Sequence, residues 1–305
     1  MSRIHDALLR VQQEREQAAV KGDPDAVMQQ VLQNQAATAA PSADAVNQEA
    51  PREPQVTVSG DLSYDLLAAR CREHKWNFAP GLALSEDGGC GLEEMRTLRT
   101  RLYQLRGTMP LKTVLIASAL PGEGKTFVSC NLAQIMVRQR GRRALLIDGD
   151  LRSPRLHKEF GAPVSPGLTE YLKGDADETA IMQRGPISGL MFVPGGQTAP
   201  NPAELLAGNG LRRFLDSVGH CFDWIFIDSP AAIPIADASM LAGACDGVLM
   251  VVKAGETPFD LAQKARQEFT QSRVVGVVLN RVEPKTGYNS YYYRSYGYNQ
   301  ESSKR

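Results

Sequence analysis

No apolar run in this 305-residue sequence approaches the roughly 20 residues that a membrane span needs, and the polar start Met1-Ser-Arg-Ile-His-Asp is unlike a secretory leader. The five cysteines, Cys71, Cys90, Cys130, Cys221 and Cys245, are odd in number, widely spaced and without a Cys-x-x-Cys pair. Such thiols read as reduced packing residues rather than a disulfide or zinc framework. The histidines, His5, His74, His157 and His220, have no metal-ligand spacing either. Lysine and arginine together exactly balance aspartate and glutamate, for a formal net charge of zero, which argues against a general nucleic-acid binder. These absences lead us to expect a cytoplasmic protein whose membrane association, if it has any, is borrowed from a partner.

What the sequence does contain is a phosphate-binding loop. The β-branched stretch Thr113-Val-Leu-Ile116 runs into Ala117-Ser-Ala-Leu-Pro-Gly-Glu-Gly-Lys-Thr126, and a helical pattern begins at Phe127. That strand, loop and helix are the context the motif requires. Gly122 and Gly124 permit close backbone approach to phosphate oxygens, and the helix start adds partial positive charge. Pro121, Gly122, Glu123, Gly124, Lys125, Thr126 and Phe127 are therefore the expected nucleotide-binding residues. Lys125 supplies a mobile cation and Thr126 a hydroxyl for Mg²⁺. Ala119 stands where the usual pattern has its first glycine.

Around this loop the chain divides into four parts. Residues 1–17 read as an amphipathic helix, with Ile4, Leu8 and Val11 on one side, too short to be stable without a surface to dock on. Residues 18–60 are rich in Ala, Gln, Pro and Ser, poor in large apolar residues, and read as a disordered linker. Residues 61–284 form the expected ATP-binding domain, and 285–305 a tyrosine-rich tail. Within the domain, apolar runs at Thr113–Ala117, Ala144–Ile147, Leu190–Val193, Trp224–Ile227, Gly247–Val252 and Val274–Leu279 read as strands. Helical patterns lie at Leu92–Leu105, Phe127–Arg140, Pro202–Val218, Ala236–Ala244 and Pro258–Thr270. The alternation predicts an α/β fold, a doubly wound and mostly parallel sheet of the P-loop NTPase kind. Ligands of such folds bind at the carboxyl ends of the strands.

Three aspartates emerge at those ends. Asp148-Gly-Asp150-Leu-Arg152 follows one strand and Asp228-Ser-Pro230 another. Beside a phosphate loop they are suited to holding Mg²⁺ against the β- and γ-phosphates, with one of the first pair free to accept the proton of an incoming hydroxyl. Thr126, Asp150 and Asp228 are the expected metal ligands. Lys125, Asp148 and Asp150 are the expected catalytic residues, with Asp148 the candidate base.

The tail carries Tyr288, Tyr291, Tyr292, Tyr293, Tyr296 and Tyr298, six of the nine tyrosines, among Gly, Asn, Ser and Arg. Such neighbours suit an exposed segment, either adhesive or itself a substrate. Lys285, Arg294, Lys304 and Arg305 against Glu301 give it a net charge of +3, which favours approach to an acidic site. Each phosphotyrosine would add about −1.5 to −2, so roughly two phosphates cancel that attraction. At about 3.3–3.6 Å per extended residue the tail spans up to some 70 Å, enough to enter a neighbouring copy's site.

Taken together, the loop Pro121-Gly-Glu-Gly-Lys-Thr126, Asp148-x-Asp-x-Arg152, Asp228-x-Pro230 and the tyrosine cluster closely resemble the bacterial tyrosine kinases of capsule and exopolysaccharide operons. The resemblance covers about Leu92 to Arg305. It implies ATP- and Mg²⁺-dependent autophosphorylation in trans on Tyr288 to Tyr298, and control of polysaccharide polymerisation and export. It also implies activation by a transmembrane polysaccharide chain-length regulator, a cognate tyrosine phosphatase, and a location at the inner face of the plasma membrane through that regulator. Glu93-x-x-Arg96-x-x-Arg99 looks like the family's ring-like homo-oligomer contact. Asn201-Pro-Ala-Glu204-Leu-Leu also matches a family stretch. Asn280-Arg281 sits where related ATPases contact adenine, although a turn-forming asparagine would serve equally at that position. Ala231 replaces the second proline common after Pro230.

Two other readings remain open at this point. A positioning ATPase of the ParA/MinD group shares the sheet and loop but has a second lysine early in the loop, where this chain has Leu120. A non-catalytic ATP-binding scaffold phosphorylated by another kinase would carry the same tail.

Overall fold

The computed structural model describes residues 63–79, 91–233 and 235–282. The expected N-terminal helix, the linker and the tyrosine tail lie outside the described residues. In chain order the elements are α1 (Tyr64–Arg70), β1 (Arg72–Glu73), α2 (Leu92–Arg106), β2 (Thr113–Ser118), α3 (Lys125–Val137) and β3 (Ala144–Asp148). Short helices α4 (Leu156–Phe160), α5 (Leu168–Lys173) and α6 (Glu178–Ile181) lead to β4 (Gln183–Arg184) and β5 (Leu190–Val193). Then come α7 (Pro202–Ala207), α8 (Gly210–Val218), β6 (Trp224–Asp228), α9 (Asp237–Ala242), β7 (Gly247–Lys253), α10 (Phe259–Gln267) and β8 (Val274–Asn280).

The strands form one eight-stranded sheet in the order β1-β4-β5-β3-β6-β2-β7-β8. Every pairing is parallel except β4 with β5. The period-2 alternation of a strand divides the apolar residues between two cores. Leu115, Leu145, Ile147, Ile225 and Ile227 face one side, where Phe214 and Leu215 of α8 and Leu241 of α9 cover them. Val114, Ile116, Leu146, Trp224 and Phe226 face the other, against Leu92, Met95 and Leu102 of α2 and Leu132 and Ile135 of α3. Central strands buried on both faces explain why the sequence reads there as continuous apolar runs.

Helix α3 is buried from Val128 to Met136, and the polar side chains inside that stretch place their donors locally, while Asn131 Oδ1 has no hydrogen-bond partner. Ser129, Asn131 and Gln134 each donate to the carbonyl four residues earlier. The pattern Pro202–Val218 is two helices rather than one, broken at Gly208-Asn209, where a helix-breaking glycine precedes an asparagine that stands at the N-cap position without a side-chain cap bond. The register that matters most for function pairs Asp148 directly with Asp228 across β3 and β6. Both carboxylates thus leave the sheet at one level, next to the loop that follows β2.

Candidate active site

The loop between β2 and α3 is held from beneath. Gly122 (φ 83°) and Gly124 (φ 94°) are left-handed, a conformation that costs other residues energy. A Cβ on Gly124 would lie 2.0 Å from Asn280 Nδ2, so glycine is required there on two counts. That Asn280 nitrogen donates to the Glu123 carbonyl at 2.9 Å, while Asn280 Oδ1 accepts from the Arg281 N–H at 2.9 Å. The buried Glu123 carboxylate accepts from the Leu120 N–H at 2.7 Å and from the Thr257 hydroxyl, which itself accepts from the Lys253 N–H at 3.2 Å. The ends of β7 and β8 therefore brace the loop. The N–H groups of the first turn of α3, starting at Lys125, have no acceptors within the helix and are free for phosphate.

Asp228 stands at the foot of α3. Its two oxygens accept from the Thr126 hydroxyl at 2.7 Å and the Ser129 hydroxyl at 3.1 Å. Burial pushes its carboxyl up to about 6, with Lys125 and these two hydroxyls pulling the other way. Asp148, only 1% exposed, organises the loop after β3. One oxygen accepts from the Asp150 N–H at 3.1 Å; the other accepts from the Arg155 and Leu156 N–H groups, both at 3.0 Å, at the start of α4. A carboxylate oxygen has two lone pairs, so only Oδ1 retains one for a further proton. Burial, reinforced by Asp228, pushes the Asp148 carboxyl up to about 8. Asp150 is more open, accepts from the Ser153 N–H at 3.0 Å and is also raised by burial.

These groups line a single cavity of about 550 Å³. Gly122, Gly124, Lys125, Thr126 and Arg281 contribute on the loop side, with Asp148, Asp150 and Asp228 also lining it. Pro230, Ala231 and Ile235 form an apolar wall, and Arg152 and Arg155 also face in. Among the described residues no set of three His, Cys, Asp or Glu side chains could by itself hold a metal ion. A hydroxyl and carboxylates beside a phosphate loop nevertheless fit Mg²⁺, which takes one or two protein oxygens and completes its shell from phosphates and water. The left-handed glycines fit the phosphates.

Comparison with known proteins accords with this geometry. The model described as the CobQ/CobB/MinD/ParA nucleotide binding domain matches residues 114–296. Tyrosine-protein kinase YwqD of Bacillus subtilis (strain 168) is 32% identical over 201 residues, covering 65% of this chain and 84% of that protein. Tyrosine-protein kinase CpsD of Streptococcus agalactiae serotype III (strain NEM316) is 36% identical over 174 residues, 56% of this chain and 75% of that one. The chain belongs to the bacterial tyrosine kinases. The kinase domain of the Escherichia coli tyrosine kinase ETK superposes with a TM-score of 0.65 at 29% identity, over 70% of this chain and 84% of that one. The expected P-loop NTPase fold and tyrosine-kinase activity are therefore both correct.

The remaining expected residues of this kinase are distributed as follows. Phe127 packs partly buried against the core on the α2–α3 side of the sheet. The side chains of Glu123 and Asn280 are turned into the brace described above, and Arg281 alone of the Asn280-Arg281 pair lines the cavity. On α2, Glu93 and Arg96 form an exposed ion pair, whereas Arg99 donates to the Ile135 carbonyl of α3 at 3.1 Å. Asn201 donates to Glu204 at 3.3 Å within the first turn of α7. Sequence reasoning missed two acidic residues, Glu123 as a brace and Asp237, 1% exposed, as the partner of Arg152. The signal for Asp237 was its place in the first turn of a helix directly after the cavity wall. Among the described residues no helix is long and apolar enough to cross a membrane.

Proposed function

We propose that this kinase uses Mg-ATP to phosphorylate the tyrosines between Tyr288 and Tyr298 of another copy of itself, and that the modified tail governs exopolysaccharide assembly and export. The observation that carries this is the Thr126 hydroxyl on Asp228 at 2.7 Å, beside Lys125 and in one cavity with Asp148 and Asp150. Gly122, Gly124, Lys125 and the first N–H groups of α3 hold the phosphates; Pro121, Glu123 and Phe127 contribute main chain, and Arg281 lies along the nucleotide. Thr126, Asp150 and Asp228 hold Mg²⁺, which when bound neutralises charge on the phosphate oxygens.

In the reaction the phenolic oxygen bonds to the γ-phosphorus as the bond to the β-phosphate oxygen breaks, and ADP leaves. The phenolic proton passes to Oδ1 of Asp148, the carboxylate oxygen with a lone pair to spare. A carboxyl held near 8 carries a proton at neutral pH in the ligand-free protein, so Asp148 acts as a base in its ionised form, which positive charge brought into the cavity with the nucleotide would favour. Positioning and charge stabilisation supply most of what phosphoryl transfer needs.

The resemblance to the family supports a wider setting. A transmembrane chain-length regulator activates the kinase at the inner face of the plasma membrane, a cognate phosphatase reverses it, and Glu93, Arg96 and Arg99 contribute to a ring-like oligomer. The +3 tail enters a neighbour's acidic site and leaves it once phosphate reverses its charge. Leu120, partly buried against the core, offers no second lysine of the positioning-ATPase kind.

The test is intact-mass measurement and tyrosine mapping after phosphatase-treated full chain is incubated with Mg-ATP and a peptide of the regulator, beside Lys125→Met. Phosphate should accumulate on Tyr288 to Tyr298 in the wild type alone. Hydrolysis of ATP with an unmodified tail would overturn the proposal in favour of a positioning ATPase.

A further inference from the structure

We propose that Asp237 is a positioning residue: it pins Arg152 beside the apolar wall of the cavity, and guanidinium and wall together form the subsite for the ring of an acceptor tyrosine. The inference rests on the tyrosine-kinase reading above and names the part of the cavity that would take its second substrate.

Asp237 is 1% exposed at the first position of α9. Its two carboxylate oxygens accept from Arg152 Nε at 2.6 Å and Arg152 Nη2 at 3.0 Å, a two-point fork that fixes the guanidinium plane. The Arg152 side chain stays 38% exposed and lines the cavity, so one edge of the fork is committed and the remainder is available to a ligand. Pro230, Ala231 and Ile235 belong to the short connection from β6 to α9. That connection is fastened to the start of the phosphate loop by Ala232 N–H to the Ser118 carbonyl at 2.9 Å and Ile233 N–H to the Ala119 carbonyl at 3.4 Å. Ile235 is two residues from Asp237, so one end of the wall and the anchor of Arg152 are close neighbours in the chain.

Phosphates and a metal ion have no use for an apolar wall, whereas a phenol ring does. The charge pattern points the same way. A guanidinium whose charge is offset by a buried carboxylate is poorly suited to act as a second phosphate clamp beside Lys125. It still presents a flat, weakly hydrated surface that stacks on an aromatic ring.

The test uses the full chain with the regulator peptide present and a synthetic peptide of residues 285–305 as acceptor, varied in concentration at saturating Mg-ATP. Three variants are compared: Arg152→Lys, Asp237→Asn, and the pair Arg152→Leu with Asp237→Leu, which removes the ion pair without stranding a buried charge. In each, the KM for peptide should rise about tenfold while kcat stays within about threefold, a split that a merely structural lesion would not produce. The Kd of a non-hydrolysable ATP analogue should stay within about twofold of wild type. Arg152→Lys keeps the charge and loses the planar fork, so it should behave like the paired variant. An unchanged peptide KM overturns the inference, as does nucleotide affinity that weakens in step with activity, the mark of a phosphate clamp. A wild-type chain that leaves the peptide unmodified overturns the kinase reading of the tail, and the inference with it.

Discussion

The brace beneath the phosphate loop makes a quantitative prediction for Gly124→Ala. Two separable costs are expected. Alanine at φ 94° has to occupy the left-handed region, at about 1–2 kcal/mol. Its Cβ would also lie 2.0 Å from Asn280 Nδ2, so the carboxamide must leave the Glu123 carbonyl that it now meets at 2.9 Å. Losing that hydrogen bond and leaving its acceptor unsatisfied adds about 1–3 kcal/mol. The total is therefore about 3 kcal/mol, measurable by urea titration of ligand-free protein through Trp76 and Trp224, both buried. In an Asn280→Ala background the second cost vanishes, and Gly124→Ala should cost only about 1–2 kcal/mol. Calorimetry with an ATP analogue should show affinity reduced at least about tenfold by the single variant, because the N–H groups that meet phosphate move with the loop. Equal stability costs in the two backgrounds would refute the idea that Asn280 holds the loop.

Three other predictions follow from the same structure. With carboxyls held near 8 at Asp148 and near 6 at Asp228, the native state retains protons that the unfolded chain releases near 4, so ligand-free stability falls between about pH 4 and 8. Asp148→Asn should flatten the upper part of that fall, and Tm values measured at pH 5 and pH 8 that drop equally in both proteins would contradict it. Phe160 is fully buried and stacked on Phe192 at 4.7 Å, so Phe160→Ala should cost about 3–5 kcal/mol in denaturant unfolding. On α2, Arg99→Ala should lose about 1 kcal/mol through its contact with α3. Glu93→Ala and Arg96→Ala, which break an exposed pair, should leave stability within about 0.5 kcal/mol but shift sedimentation toward smaller species if this face joins subunits.

Much of the fold was legible because its core strands are buried on both faces. Val114–Ala117, Ala144–Ile147 and Trp224–Ile227 are unbroken apolar runs that suit central parallel strands, and the strands extend one residue beyond the expected ends, to Ser118, Asp148 and Asp228. The short helices between Leu156 and Ile181 were not legible, since four to six residues carry too little periodicity to register. Strand order was hidden too: nothing local in β6 says that it inserts between β2 and β3. For the site, the motif residues that meet in the cavity could be named from spacing alone, because each follows a strand at its carboxyl end. The roles of the Glu123 and Asn280 side chains could not. Glu123 lies within the loop motif and Asn280 ends the last strand, so position suggests ligand contact for both, whereas their side chains bond to the loop and to Thr257. Partners 134 and 157 residues apart leave no local trace in a sequence.

The pairing of Asp148 with Asp228 explains why the ligand-free site has the electrostatics that it does. Adjacent parallel strands at one register bring two buried carboxyls to the same level, and burial makes the charged form of each costly, with the charge of Asp228 adding to the cost at Asp148 and that of Asp150 adding to it at Asp228. Thr126, Ser129 and three backbone N–H groups offset part of that cost without removing it. A cation at this place would offset more, so metal and nucleotide should stabilise the fold by more than the same contacts would with a neutral pair, and should drive protons off the site as they bind. Asp228→Asn removes one charge from the pair and should weaken both effects together. Loss of the stabilisation with proton release intact would instead mean that the protons come from elsewhere in the cavity, with Asp150 the first group to examine.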